Sequence, residues 1–133
     1  MKTRHIIGCH FSASGKNFDV DAFLRSNNMG RTCTTFYRGQ ATELPNWTCD
    51  ANGFSIIVNT DFGDLRSQLR DALRFHKKRN PMLLLLAGER MVSERRLTFT
   101  YCESGKMLYE YLSPELIVLA GNLSIGIALS IYP

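Results

Sequence analysis

The chain of 133 residues carries 16 basic and 12 acidic side chains, a formal net charge of +4, and 44% of its residues are hydrophobic. This length and composition are typical of one globular domain, residues 1–133, that buries a core without disulfides or a structural metal. We therefore expect one domain rather than two. The longest apolar run, residues 82–87, falls well short of the roughly 20 residues that cross a bilayer.

The N-terminal sequence MKTRHIIGCHF has a basic start but neither an apolar h-region nor a cleavage site. We therefore interpret it as the first strand and expect a cytoplasmic protein. A chain of this kind favours reduced thiols over a disulfide framework, and no two cysteines form a CxxC pair. The four separate cysteines are Cys9, Cys33, Cys49 and Cys102.

The first half of the chain predicts three strands and one short helix. Weak alternation of apolar residues indicates a strand at residues 4–12. Asp19 can cap a helix over residues 20–27. Aromatic and β-branched residues favour a strand at residues 33–38, and a short apolar run predicts another at residues 54–58.

The longest helix is predicted over residues 62–78, opened by Asp61 and ended by Pro81. Its inner face should consist of the residues at helical spacing, Leu65, Leu69, Ala72, Leu73 and His76. The apolar residues 82–86 then predict a central strand, joined by a hairpin to a strand at residues 95–101.

The C-terminal sequence predicts a helix followed by a strand. Ser113 is a good N-cap before Pro114, and Gly121-Asn122 is a stop signal. From residue 123 the period changes to two, so that large aliphatic side chains alternate with small ones. We expect the aliphatic face to belong to the core and Ile127 to be fully buried.

Together these elements follow the order β-α-β-β-α-β-β-α-β. This order indicates an α+β domain with a largely antiparallel, twisted sheet of about six strands and three helices packed mainly on one face. The sequence does not determine the strand order.

The sequence offers only weak candidates for catalytic, metal-binding or phosphate-binding residues. The three histidines, His5, His10 and His76, lack the spacing of a metal site, and no cysteine lies beside a recognisable base. Residues 12–16 end in Gly-Lys after a strand, but the first glycine of a phosphate-binding loop is missing. We therefore expect no catalytic, cofactor-binding or metal-binding residue.

The strongest signal outside the core is a basic stripe on the long helix. Arg66, Arg70 and Arg74 are four residues apart and share one face, which Lys77 and Lys78 extend. Residues 61–79 hold six basic and three acidic side chains, a net of +3 out of the +4 of the whole chain. The stripe is either a solvated face or an interface with an acidic protein or a nucleic-acid backbone.

A second candidate for partner binding is the loop sequence that holds Tyr37, Arg38 and Trp47. Aromatic side chains beside an arginine can anchor a protein partner. The alternative is a strand end and a turn, with the tryptophan sealing one edge of the core.

Several segments together resemble a family of small bacterial domains of unknown function. They are FSASGKNFDVDAFL, the turn YRGQ, the single tryptophan and the closing LSPELIVLAGNLSIGIALSIYP. Members of that family open with a strand, a Ser-Gly pair and an Asp-led helix, and finish with a Ser-Pro-Glu helix and a strand ending in Ile-Tyr. The resemblance implies an immunity protein of a polymorphic toxin or contact-dependent inhibition system.

An immunity protein would bind a cognate toxin domain without any catalytic group of its own. Inhibitors of nucleases are commonly acidic, so a basic chain such as this one requires a toxin domain with an acidic patch. A nucleic-acid-binding module that uses the basic helix at residues 62–79 is the alternative function. An enzyme with an unrecognised active site is the second alternative. The oligomeric state stays open.

Overall fold

The computed structural model describes residues 7–29, 32–102 and 110–132. The elements follow in chain order as β1 (Cys9–Gly15), α1 (Val20–Ser26), β2 (Thr34–Phe36), β3 (Asn52–Asn59), α2 (Leu65–Lys78), α3 (Asn80–Ala87), β4 (Glu94–Cys102), α4 (Pro114–Asn122) and β5 (Gly126–Tyr132). The predicted α+β class is confirmed. The described residues form five strands and four helices, where the sequence predicted about six strands and three helices.

The five strands form one open sheet in the order β2-β3-β1-β4-β5. Strand β1 lies at the centre and is antiparallel to both β3 and β4, and β2 is antiparallel to β3 at one edge. At the other edge β5 is parallel to β4, because the chain crosses over through α4 between them. This one parallel pair makes the sheet mixed.

One face of the sheet holds the core. Alternate side chains of β1 are buried, and their register places Phe11 beside Leu97 of β4 and Ala13 beside Phe54 of β3. All four helices contribute buried side chains to the same apolar cluster, including Leu24 of α1. The other helical contributors are Val20, Leu65, Ala72, Met82, Leu83, Leu86, Leu116 and Ala120. This arrangement agrees with helices packed on one face.

The predicted cap of α1 is confirmed, since the Asp19 carboxylate accepts a hydrogen bond from the Ala22 amide at 3.1 Å. Phe18 before the helix packs on Phe23 with ring centroids 5.8 Å apart, as in a hydrophobic staple. These contacts fix where the chain enters the helix.

The N-cap of helix α2 is three residues later than the predicted cap, Asp61. Asp64 is the N-cap and accepts a hydrogen bond from the Ser67 amide at 3.0 Å, whereas Asp61 accepts one from the Ser67 hydroxyl. The predicted inner face is confirmed: Leu65, Ala72 and His76 are buried, and Leu69 and Leu73 are partly buried.

The prediction of a central strand at residues 82–86 is wrong, because these residues form α3. Pro81 occupies the first turn, where a missing amide hydrogen costs nothing, so it starts a helix there. The leucines that follow are good helix formers without β-branches. Leu83 and Leu86 are buried while Leu84 and Leu85 are exposed, which is helical spacing. The predicted hairpin to β4 is therefore also wrong.

The start of α4 is confirmed, since the Ser113 hydroxyl accepts a hydrogen bond from the Leu116 amide at 3.2 Å. Its end differs: Gly121-Asn122 stays within the helix, and the residue in the left-handed region is Ser124, with φ of 55°.

The expected burial of Ile127 is wrong, since this side chain is 38% exposed. Strand β5 is at the sheet edge, where fewer neighbours cover its aliphatic face.

Candidate partner-binding surface

The outer face of α2 presents the predicted arginine row to solvent. The side chains of Arg66, Arg70 and Arg74 are 86%, 59% and 73% exposed, opposite the buried leucine face. The four-residue spacing places them one helical turn apart. The stripe, defined here as these three arginines with Lys77 and Lys78, therefore exists as one continuous exposed surface.

Acidic side chains are interleaved with the stripe. Asp71 lies 3.5 Å from Arg70 and 3.7 Å from Arg74, measured from its Oδ1 atom to Nε and Nη1 respectively. Arg66 Nε lies 3.8 Å from Glu110, and Lys77 Nζ lies 3.0 Å from Glu115 at the start of α4. The stripe is thus a mixed surface in which basic groups predominate.

These exposed ion pairs leave the arginines available. Surface pairs of this kind contribute only about 0–1 kcal/mol each, so exchanging one carboxylate for another costs little. A guanidinium has five N–H donors, and the described ion pairs occupy one nitrogen of Arg66 and one of Arg74. The remaining donors can bind carboxylates of a partner.

The stripe is connected to the interior through Asp71. Its second oxygen, Oδ2, accepts a hydrogen bond from Asn59 Nδ2 at 2.8 Å, and Asn59 also donates to the Ser67 hydroxyl at 3.1 Å. The Arg70 guanidinium donates to the same hydroxyl at 3.3 Å. The sequence analysis did not identify Asp71 as the ion-pair partner that Arg70 and Arg74 share. The three-residue spacing between Asp71 and Arg74 is typical of an ion pair on a helix and could have indicated it.

Tyr37, Arg38 and Trp47 lie in the connection between β2 and β3. Backbone bonds pair its two arms, including Thr42 N to Trp47 O at 3.1 Å and Cys49 N to Gln40 O at 2.8 Å. Trp47 is 65% exposed, so it does not seal the core edge. We name Tyr37, Arg38 and Trp47 the hairpin tip.

The stripe and the hairpin tip are separate surfaces. The Tyr37 hydroxyl donates to Asp21 of α1 at 2.7 Å, and the Arg38 amide donates to Asn52 at 2.7 Å. The partners of the stripe instead lie on α2, on α4 and at Glu110. Within the described residues no hydrogen bond or ion pair joins the two sets, and they lie on different elements of the fold, the stripe on α2 and the hairpin tip between β2 and β3.

Sequence reasoning also missed the exposed apolar side chains near the C-terminal end of the described chain. Of the sixteen exposed large apolar side chains in the part of the chain that the structure describes, eight lie between residues 110 and 132. They are Tyr111, Leu112, Ile117, Val118, Ile127, Leu129, Ile131 and Tyr132. The available signal was the composition of α4 and β5, which contain one charged residue between them.

Burial favours the neutral form of one cysteine and two histidines. Burial raises the pKa of the Cys9 thiol to about 12 and lowers the pKa of His76, whose ring nitrogens have no partner in the described structure. Burial and Arg96 lower the pKa of His10. Groups of three or more His, Cys, Asp or Glu side chains suited to a metal ion do not occur within residues 7–29, 32–102 and 110–132. His5 lies outside these residues.

A shallow cleft of about 410 Å³ separates α1 from α3. Its walls are mainly apolar, with Phe18, Leu85 and Met91 among the lining residues, and Asp19 and Glu89 lie at its margin. Both carboxylates already accept backbone hydrogen bonds, from Ala22 and Met91. The cleft therefore combines apolar walls with polar side chains, which include Asn17 and Ser26, at its margin.

Comparison of the chain with models of known families, with curated proteins and with solved structures finds no match. No helix in the described ranges combines the length and apolar character that crossing a membrane requires.

Proposed function

We propose that the protein is an immunity protein, a non-catalytic protein that binds and neutralises a cognate bacterial toxin domain of the contact-dependent growth inhibition type. The observation that carries this proposal is the stripe, three arginines exposed side by side on one rigid helix. The sequence resemblance described above supplies the biological setting. The partner is a protein domain with an acidic patch.

The stripe suits rapid and specific association with such a domain. Complementary charge on two surfaces steers their encounter and sets the register of binding. Arginine is the residue best suited to this role because its planar fork binds a carboxylate through two parallel hydrogen bonds. Helix α2 is held by a buried face and a capped start, so the three guanidinium groups are presented from a fixed backbone.

The mixed charge of the stripe favours a protein over a nucleic acid. Asp71, Glu110 and Glu115 lie among its basic groups and would repel a continuous row of phosphates. A protein partner can place acidic side chains against the arginines and basic or neutral ones against these carboxylates. The nucleic-acid-binding alternative would show as binding of DNA or RNA whose affinity falls steeply with salt.

The hairpin tip is the second contact that we propose for the toxin domain. Exposed tryptophan, tyrosine and arginine are the side chains most often found at the energetic centre of protein interfaces. Trp47 is 65% exposed and lies within a hairpin held by backbone bonds, so little ordering is needed when a partner covers it.

The test is protection of bacteria that express the toxin domain encoded beside this gene. The triple variant Arg66→Glu, Arg70→Glu, Arg74→Glu should fold, because all three side chains are exposed, and should lose protection. The matched control is Lys16→Glu, Arg25→Glu, Arg90→Glu, which changes the net charge equally at exposed sites away from α2 and should protect fully. Full protection by the folded stripe variant would contradict the proposed interface.

A further inference from the structure

Strand β5 forms a long edge of the sheet. Among the described strands it pairs only with β4, so the backbone donors and acceptors on its other side are not used within the sheet. Its side chains Ile127, Leu129 and Ile131 are 38%, 50% and 59% exposed, increasing along the strand. They lie on the same face as Leu97 and Phe99 of β4, which is the face that the helices cover elsewhere.

The β5 edge lacks the features that usually prevent an edge strand from pairing with another chain. Monomeric proteins protect edge strands with charged residues, prolines, bulges or short length. The opposite edge strand, β2, has three residues, whereas β5 has seven, GIALSIY, with no charge and no proline. A strand of this composition stabilises a sheet when it acquires a partner on its open side.

We propose that β5 pairs antiparallel with β5 of a second copy of this chain, about a two-fold axis at Leu129. In this register Leu129 faces its own equivalent and Ile127 faces Ile131. Ala128 then faces Ser130, and Gly126 faces Tyr132. Aliphatic residues meet aliphatic residues, small ones meet small ones, and the glycine faces an aromatic ring, an arrangement that compensates for a missing side chain.

The two-fold axis stands perpendicular to the sheet, so the helices of both copies lie on one face of a continuous sheet of ten strands, five from each copy. The exposed aliphatic rows of the two β5 strands then form one apolar strip. Helix α4 of each copy lies beside this strip, and its Ile117 and Val118 are 49% and 57% exposed.

The size and the chemistry of this surface suit a second copy. A stable pair needs roughly 800 Å² from each partner, and the half-exposed aliphatic side chains of β5 and α4 contribute apolar area to such a contact. The strand has no charge with which to select a different partner, whereas its register is complementary to itself. Association by β5 does not involve the stripe, and it is independent of the proposed function.

The first test is the mass in solution at about 100 μM. The wild-type protein should have twice the 15.1 kDa mass of the chain. Leu129→Lys places two ammonium groups directly opposite each other and should give a folded monomer. The matched control is Leu85→Lys, an equally exposed leucine on α3, which should stay dimeric. A wild-type monomer, or a dimer that Leu129→Lys leaves intact, would overturn the proposal.

The second test concerns the register. Ile127→Lys and Ile131→Glu should each weaken the dimer at least ~10-fold, because a charged group then faces an aliphatic one. The double variant places the introduced lysine of one copy opposite the introduced glutamate of the other and should recover most of the lost affinity. Failure to recover, in a double variant that is folded by circular dichroism, would overturn the register centred on Leu129.

A third measurement uses the wild-type protein and so does not depend on any variant folding. Amide hydrogen exchange of the Gly126–Tyr132 segment should slow as the concentration rises from about 1 to 100 μM, because pairing protects the edge amides. Exchange in β2 at the other edge should not change. Equal rates in β5 at both concentrations would overturn the proposal.

Discussion

Asn59 in β3 donates a 2.8 Å hydrogen bond to the Asp71 carboxylate in α2, and the other oxygen of that carboxylate faces Arg70 and Arg74. A buried amide thus orients the acid that two surface arginines share. The Asn59 side chain also accepts a bond from the Asp61 amide at 2.7 Å and donates to Ser67. One side chain joins the sheet, the loop before α2 and the helix itself.

Replacing Asn59 should therefore destabilise the fold. Asn59→Ala removes three hydrogen bonds made by one buried side chain, which we expect to cost about 1–3 kcal/mol of the free energy of unfolding. Chemical denaturation measures this loss. The control is Asn122→Ala at the exposed end of α4, which should change stability by less than about 0.5 kcal/mol. Equal effects of the two substitutions would contradict the assigned role of Asn59.

Arg95 should stabilise the C-terminal end of α3 and the loop that follows it. Its guanidinium donates to the Leu86 carbonyl at 2.7 and 3.0 Å and to the carbonyls of Glu89 and Val92. The Leu86 and Glu89 carbonyls also accept bonds from the Glu89 and Val92 amides. Because hydrogen bonds from a charged donor are stronger than neutral ones, Arg95→Ala should still lower the free energy of unfolding by about 1–3 kcal/mol. The neighbouring Arg96→Ala, which removes only an exposed ion pair with Glu94, should cost less than about 1 kcal/mol.

If Arg95→Ala and Arg96→Ala lower the denaturation midpoint equally, the carbonyl contacts of Arg95 do not contribute to stability. Arg95→Lys is an informative third variant. A lysine ammonium cannot reproduce the planar fork that reaches several carbonyls at once, so it should recover only part of the loss.

Stability should decrease in mild acid because of His76. Burial lowers the pKa of His76 below its ordinary 6.5, so below that pH the unfolded chain binds a proton that the folded chain does not. The free energy of unfolding should change little between about pH 7 and 8 and fall as the pH decreases below about 6.5, by at most roughly 1.4 kcal/mol per pH unit for one group. His10, whose pKa is also lowered, acts in the same direction.

The variants His76→Leu and His10→Gln separate these contributions. Since both His76 ring nitrogens are buried and have no hydrogen-bond partner among the residues that the structure describes, a leucine should raise stability and reduce the slope between about pH 5 and 6.5. Denaturation curves at a series of pH values measure both effects. An unchanged slope in His76→Leu would show that His76 is protonated in the folded protein or exposed to water.

The sequence predicted the parts of the fold that depend on local chemistry. Asp19 and Ser113 cap their helices as expected, because a side-chain oxygen at that position satisfies an amide three residues later. The inner face of α2 and the exposed arginines opposite it follow from helical spacing alone. Asp61 was mistaken for the cap because Asp64, three residues on, offers the same chemistry.

The errors arose where tertiary position decides the outcome. A run of leucines fits a buried strand or a helix equally well by its pattern, and the alternation of buried Leu83 and Leu86 with exposed Leu84 and Leu85 becomes visible only in the packed fold. Ile127 alternates as a core residue should, yet its burial depends on whether β5 is central or at an edge. Strand order is not determined by local pattern, so the exposed apolar surface of β5 and α4 could not be predicted.

The central proposal is that the stripe binds an acidic toxin domain, and the most direct test is the binding kinetics of the purified protein with the toxin domain that we propose as its partner. We predict a nanomolar Kd, with an association rate constant that falls as salt rises. In the folded variant Arg66→Glu, Arg70→Glu, Arg74→Glu that constant should fall at least ~10-fold. No binding by the wild-type protein, or equally fast binding by this variant, would contradict the account.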